Sequence, residues 1–110
     1  MWTPDTAIII TAEQKEAGAR AHLVEQFRTA IQAHVDGAAQ SRRYDSGNSL
    51  ASYVASTDPA WAAEAQTFVA WRDGVWRYAY AELDRVLTGE RQQPTVEDFL
   101  KELPAMVWPA

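Results

Sequence analysis

The sequence predicts an all-α fold, a long antiparallel helical hairpin with a short third helix and extended N- and C-terminal arms. Two stretches, residues 12–40 and 60–88, lack proline and repeat apolar residues at steps of three and four, the spacing that places them on one helix face. Each stretch is preceded by capping residues, Thr11 with Gln14 and Asp58 with Pro59. The chain has 110 residues, which limits it to one domain over 1–110 with a single core.

Residues 1–10 read as an extended arm. Pro4 disfavours helix at Thr3, and Ile8, Ile9 and Ile10 are consecutive β-branched residues. The first helix spans 11–40. Its apolar positions, Ala17, Arg20, Val24, Phe27, Ile31, His34 and Ala38, alternate steps of three and four and form a coiled-coil-like seam that is thin at its N-terminal end. Residues 41–58 form a loop holding a short helix: Asp45, Gly47 and Asn48 supply turn chemistry, while Leu50, Tyr53 and Val54 supply apolar contacts. The second helix spans 59–88, with Trp61, Ala65, Phe68, Arg72, Val75 or Trp76, Ala79, Leu83 and Val86 on one stripe and Thr88–Gly89 as its stop. Thr95 and Asp98 have the capping-box form and open a third helix over 95–103, ended by Pro104. Met106, Val107 and Trp108 remain as an extended apolar end.

Chemistry is scarce. The absence of cysteine removes thiol nucleophiles and cysteine-based metal sites. His22 and His34 are twelve residues apart, about 18 Å along one helix, too far to share a metal. The serines of the middle segment lack a GxSxG elbow, and the glycines never cluster into a phosphate loop. Arg72, on the apolar stripe, is expected to pack its stem while its guanidinium seeks a carboxylate or carbonyl. No catalytic residue, cofactor or metal site is therefore expected, and the chain reads as a non-enzyme.

Fifteen acidic against ten basic residues give a net charge of −5, which argues against nucleic acid as a partner. The apolar run Ala7–Ile10 is far shorter than the roughly 20 residues that span a bilayer, and no basic stretch precedes it, so neither membrane nor export is expected. Five tryptophans exceed what a slim hairpin core encloses, and large aromatics are favoured interface anchors. The candidate protein-interface residues are Trp2, Ile8, Ile10, Val24, Phe27, Ile31, His34, Trp71, Met106 and Trp108. Val24, Phe27 and Ile31 are expected to mediate a homo-oligomer, unless the same seam closes inside one chain.

From about residue 40 onward the pattern becomes specific. It runs through Tyr44–Asp45–Ser46, Ser49, Ser52–Tyr53, Ser56, Pro59, Trp61–Ala62–Ala63–Glu64–Ala65, Phe68, Ala70–Trp71–Arg72–Asp73 and Val75–Trp76. With Pro94–Thr95 and the ending Leu103–Pro104–Ala105–Met106–Val107–Trp108–Pro109, it resembles small accessory and assembly proteins encoded beside the tail-fibre genes of tailed bacteriophages and prophages. That resemblance implies a viral protein that acts as an assembly chaperone on the tail-fibre protein in the host cytoplasm, and it supplies no catalytic residues. Two other functions fit a contact-making chain: a structural component of the tail or fibre tip, found in the virion, and a small acidic inhibitor of a host protein.

Overall fold

The computed structural model describes residues 11–110. Among them all regular structure is helical: α1 (Ala12–Ser41), α2 (Gly47–Ala51), α3 (Pro59–Leu87) and α4 (Val96–Glu102). The arm expected over 1–10, with Trp2, Ile8 and Ile10, lies outside the described residues.

Each helix starts where a side chain replaces the missing backbone acceptor. At α1, Gln14 N donates to Thr11 Oγ1 at 3.1 Å and Thr11 N donates to Gln14 Oε1 at 3.0 Å, a complete capping box. At α3, Asp58 Oδ1 accepts from Ala60 N at 2.9 Å and Trp61 N at 3.1 Å, with Pro59 in the first turn where it has no donor to lose. Ser46 and Thr95 cap α2 and α4 by accepting from Ser49 N and Asp98 N.

The two long helices end with one hydrogen-bond pattern built from different residues. After α3, Gly89 takes φ 80°, its N–H donates to Val86 O at 3.2 Å, and Glu90 N donates to Arg85 O at 2.8 Å. After α1, Arg43 takes φ 72°, its N–H donates to Gln40 O at 3.0 Å, and Tyr44 N donates to Ala39 O at 3.2 Å. Both are Schellman closures, whose left-handed residue is ordinarily glycine. An arginine there holds its Cβ against the following carbonyl at a cost of roughly 1 kcal/mol.

The core runs along Phe27, Ile31, Val35 and Ala39 of α1 and Ala65, Phe68, Val75, Ala79 and Leu83 of α3, closed by Leu50, Phe99 and Leu103. Burying each large side chain contributes about 1.5–3 kcal/mol. The α3 residues lie on the stripe expected for that helix. On α1 the seam differs: His34 is exposed, and Val35 and Ala39 are buried in place of His34 and Ala38. The buried residues stand four apart, a ridge that advances about 40° round the helix per step, so the face turns from the heptad line towards α2.

The short helices join the long ones. Gly47, at the start of α2, donates its N–H to Asp36 Oδ1 at 2.8 Å, and a Cβ there would lie 3.1 Å from the Phe68 ring and 3.4 Å from Val35 Cγ1. Only glycine lets the α2 backbone approach α1 and α3 together without displacing either. From α4, the Phe99 ring meets Phe27 edge-on with centroids 5.3 Å apart. Arg91 then ties the incoming loop down: its guanidinium pairs with Glu82 at 3.3 Å and with Glu102, and lies 5.6 Å over the Phe99 ring. Tyr78 Oη donates to the same Glu102 carboxylate at 2.6 Å.

These donors hold the Glu102 carboxyl below its ordinary value, the Arg91 hydrogen bond first and Tyr78 second. The same bond raises the Tyr78 phenol. A depressed carboxyl stabilises the fold above its unfolded pKa, and that contribution is lost as pH falls through the folded one. Glu102→Gln is therefore less thermostable than the parent at neutral pH, and the two melting curves converge on acidification below the ordinary carboxylate range. At the α1 terminus, Arg43→Gly relieves the left-handed strain and raises stability by about 0.5–1 kcal/mol in urea denaturation.

Candidate protein-interaction surface

The residues expected to meet partners fall into different environments. Phe27 and Ile31 are 2% and 0% exposed within the single chain. This corrects their assignment as interface residues, because the α3 stripe and Phe99 of α4 already cover their apolar area within the same chain. Val24 is half-buried at the edge of that ridge, and residues 12–22 of α1 are exposed. Among the described residues, the thin end of the seam, Ala17 and Arg20, is thus exposed.

Trp71, Met106 and Trp108 are half-buried and organise the C-terminal segment. Trp71 Nε1 donates to Pro104 O at 2.7 Å, and its ring lies 5.9 Å from His34 and 5.8 Å from Phe68. Trp108 stacks on Phe68 at 6.4 Å with planes 8° apart, and the Arg42 guanidinium sits 4.9 Å from the centre of the same indole ring. These two indoles therefore hold the tail against the helices rather than standing free. Beside them a groove of about 410 Å³ opens between His34, Trp71, Leu100 and Met106. Arg72 forks onto the adjacent Asp73, with Nε at 3.2 Å and Nη2 at 3.0 Å, as its place on the stripe suggests.

Two further concavities lie at residues outside the expected set. The first, about 620 Å³, runs between α1 and α3. Arg28, Gln32 and Asp36 form its polar wall, and Trp76 and Tyr80, stacked with centroids 5.5 Å apart, form its aromatic one. Tyr80 is 49% exposed. The second, about 310 Å³, lies at the junction of α1, α2 and α3 and is lined by Arg42, Arg43, Tyr44, Tyr53, Trp61 and Glu64. Tyr53 stands edge-on to Tyr44 at 5.5 Å and to Trp61 at 5.8 Å, an angular chain of three rings. Tyr44 Oη donates to Glu64 Oε1 at 3.3 Å, and Arg42 pairs with Glu64 Oε2 at 3.6 Å. Burial first, and the Glu64 charge second, raise the Tyr44 phenol above its ordinary value, which keeps it a donor.

The sequence carried a partial signal for these surfaces. Trp61 falls on the α3 stripe, yet it is 49% exposed because it stands in the first turn, before the buried run from Ala65. Trp76 and Tyr80 stand four apart, one helical turn, beside Val75 and Ala79 of the buried stripe.

Among the described residues no group of three or more histidine, aspartate and glutamate side chains is arranged to hold a metal ion, and no helix is long and apolar enough to cross a membrane. Compared with protein families, curated proteins and solved structures, the chain matches none.

Because Phe27 faces Phe99 inside the chain, a charge there has no water to reach. Phe27→Asp is expected to unfold the protein, abolishing most of the helical circular dichroism, instead of releasing folded monomers in light scattering.

Proposed function

We propose that this chain is an assembly chaperone for a bacteriophage tail-fibre protein, working through protein contacts on the outer faces of a helical hairpin. The hairpin reading is supported by the order of cross-helix contacts: Phe27 and His34 of α1 and Arg42 at its C-cap come in ascending order, and through Phe99 and directly they meet Tyr78, Trp71 and Glu64, which descend α3. The tail-fibre reading is supported by the resemblance of residues 40–110 to fibre-associated accessory proteins.

The observation that carries a binding role is the open channel between α1 and α3, where the Trp76–Tyr80 stack faces the Arg28–Asp36 wall. Such a mixed aromatic and polar concavity suits a transient protein contact, since aromatic anchors supply area while the polar wall keeps the uncovered chain soluble. A fibre subunit that has not yet joined its trimer exposes apolar edges of the kind such a surface would cover.

Co-expression with the adjacent fibre gene is expected to raise the yield of soluble fibre trimer, and Tyr80→Asp is expected to reduce that gain while leaving this chain folded. A helper of this kind departs before the particle is complete, so mass spectrometry of purified particles finds no peptide from it. An unchanged trimer yield contradicts the proposal, and stoichiometric recovery from particles points to a structural component instead.

A further inference from the structure

We infer that the cleft at the junction of α1, α2 and α3 is a recognition site for an extended peptide segment carrying a proline ring beside an acidic side chain. The inference stands independently of the fibre reading and rests on what the lining residues already do. Glu64 accepts from Tyr44 and pairs with Arg42, and Arg42 also covers the Trp108 ring, so these polar groups are engaged within the chain. Arg43 differs: among the described residues its guanidinium has no ion pair and no side-chain hydrogen bond. Among the described residues, what remains free at the cleft is the Arg43 guanidinium, the Tyr53 hydroxyl and the exposed part of the Trp61 ring, since Tyr53 already packs edge-on with Tyr44 and Trp61.

That inventory selects the ligand. A sugar needs acceptors as well as donors for its hydroxyls, and the one carboxylate at the cleft, Glu64, is already taken by Tyr44 and Arg42. The exposed part of the Trp61 ring, standing nearly perpendicular to Tyr53, receives a compact ring, and proline offers one on a backbone that is already extended, so little ordering entropy is lost on binding. The free guanidinium sets the sign of the neighbouring group, because its planar fork matches a carboxylate. A cleft of about 310 Å³ holds one such ring and leaves the next side chain at the Arg43 rim.

The backbone points the same way. The chain keeps an arginine at φ 72° where glycine closes the equivalent turn after α3 without strain. Residues held in this region despite a cheaper alternative cluster at binding sites. The side chain that the strain retains is the one the cleft leaves unpaired.

The test is a titration of the full chain followed by 1H–15N NMR at the Trp61 indole and the Arg43 Nε. The probes are the blocked peptide Ac-Pro-Pro-Asp-Pro-Pro-Glu-NH2, the same peptide with lysine at both acidic positions, and glucuronic acid. The acidic peptide is expected to shift both signals. Trp61→Ala and Arg43→Gly are each expected to weaken its binding at least tenfold. Arg43→Gly is also expected to keep or raise the melting temperature, which separates lost recognition from lost folding. No shift with the acidic peptide, equal binding of the lysine peptide, or undiminished affinity in Arg43→Gly overturns the inference. Equal shifts from glucuronic acid overturn it in favour of a saccharide site.

Discussion

The four-residue ridge of α1, Phe27, Ile31, Val35 and Ala39, is the constraint on which the other elements depend. Most of the stability of a helix within a protein comes from covering its apolar face rather than from helix propensity. Here that face is covered by three elements: Phe99 of α4 meets Phe27 at one end, Gly47 of α2 lies against Val35 at the other, and the α3 stripe fills the length between them. Large-to-small changes along the ridge would open a cavity shared by several helices, so their cost would reach beyond the residue changed.

The polar features follow from how the short elements meet that ridge. Asp36 leaves the ridge by one position and captures the Gly47 amide, converting a close backbone approach into a hydrogen bond. Arg91 and Tyr78 converge on Glu102 where α4 ends, and Trp71 reaches the Pro104 carbonyl where the chain can no longer continue as helix. The Asp36 and Trp71 contacts each satisfy a backbone group that a helix terminus leaves free, and among the described residues no buried side-chain polar atom lacks a partner.

What was legible in the sequence was local. Thr11, Asp58, Pro59 and Thr95 mark helix starts through side chains whose geometry acts within three residues, and Gly89 marks a stop in the same way. The stop after α1 was harder, because Arg43 adopts the conformation that only a glycine advertises. The seam of α1 was legible in spacing but not in partner: a repeat of three and four fits a second copy or the same chain equally well. The choice of Val35 over His34 depends on where α2 docks, which is a long-range fact. The aromatic cleft was the least legible. Its three rings come from three segments, and Trp61 shares the stripe of residues that are buried further along.

The central claim is that this chain satisfies its own ridge and leaves the aromatic cleft and the α1–α3 channel for others. Native-state amide hydrogen exchange across 27–39, measured over a wide range of protein concentration, tests it most directly. The account predicts strong protection of these amides that does not change on dilution. Protection that falls as the protein is diluted would show that the ridge is covered by another copy, and the account would fail.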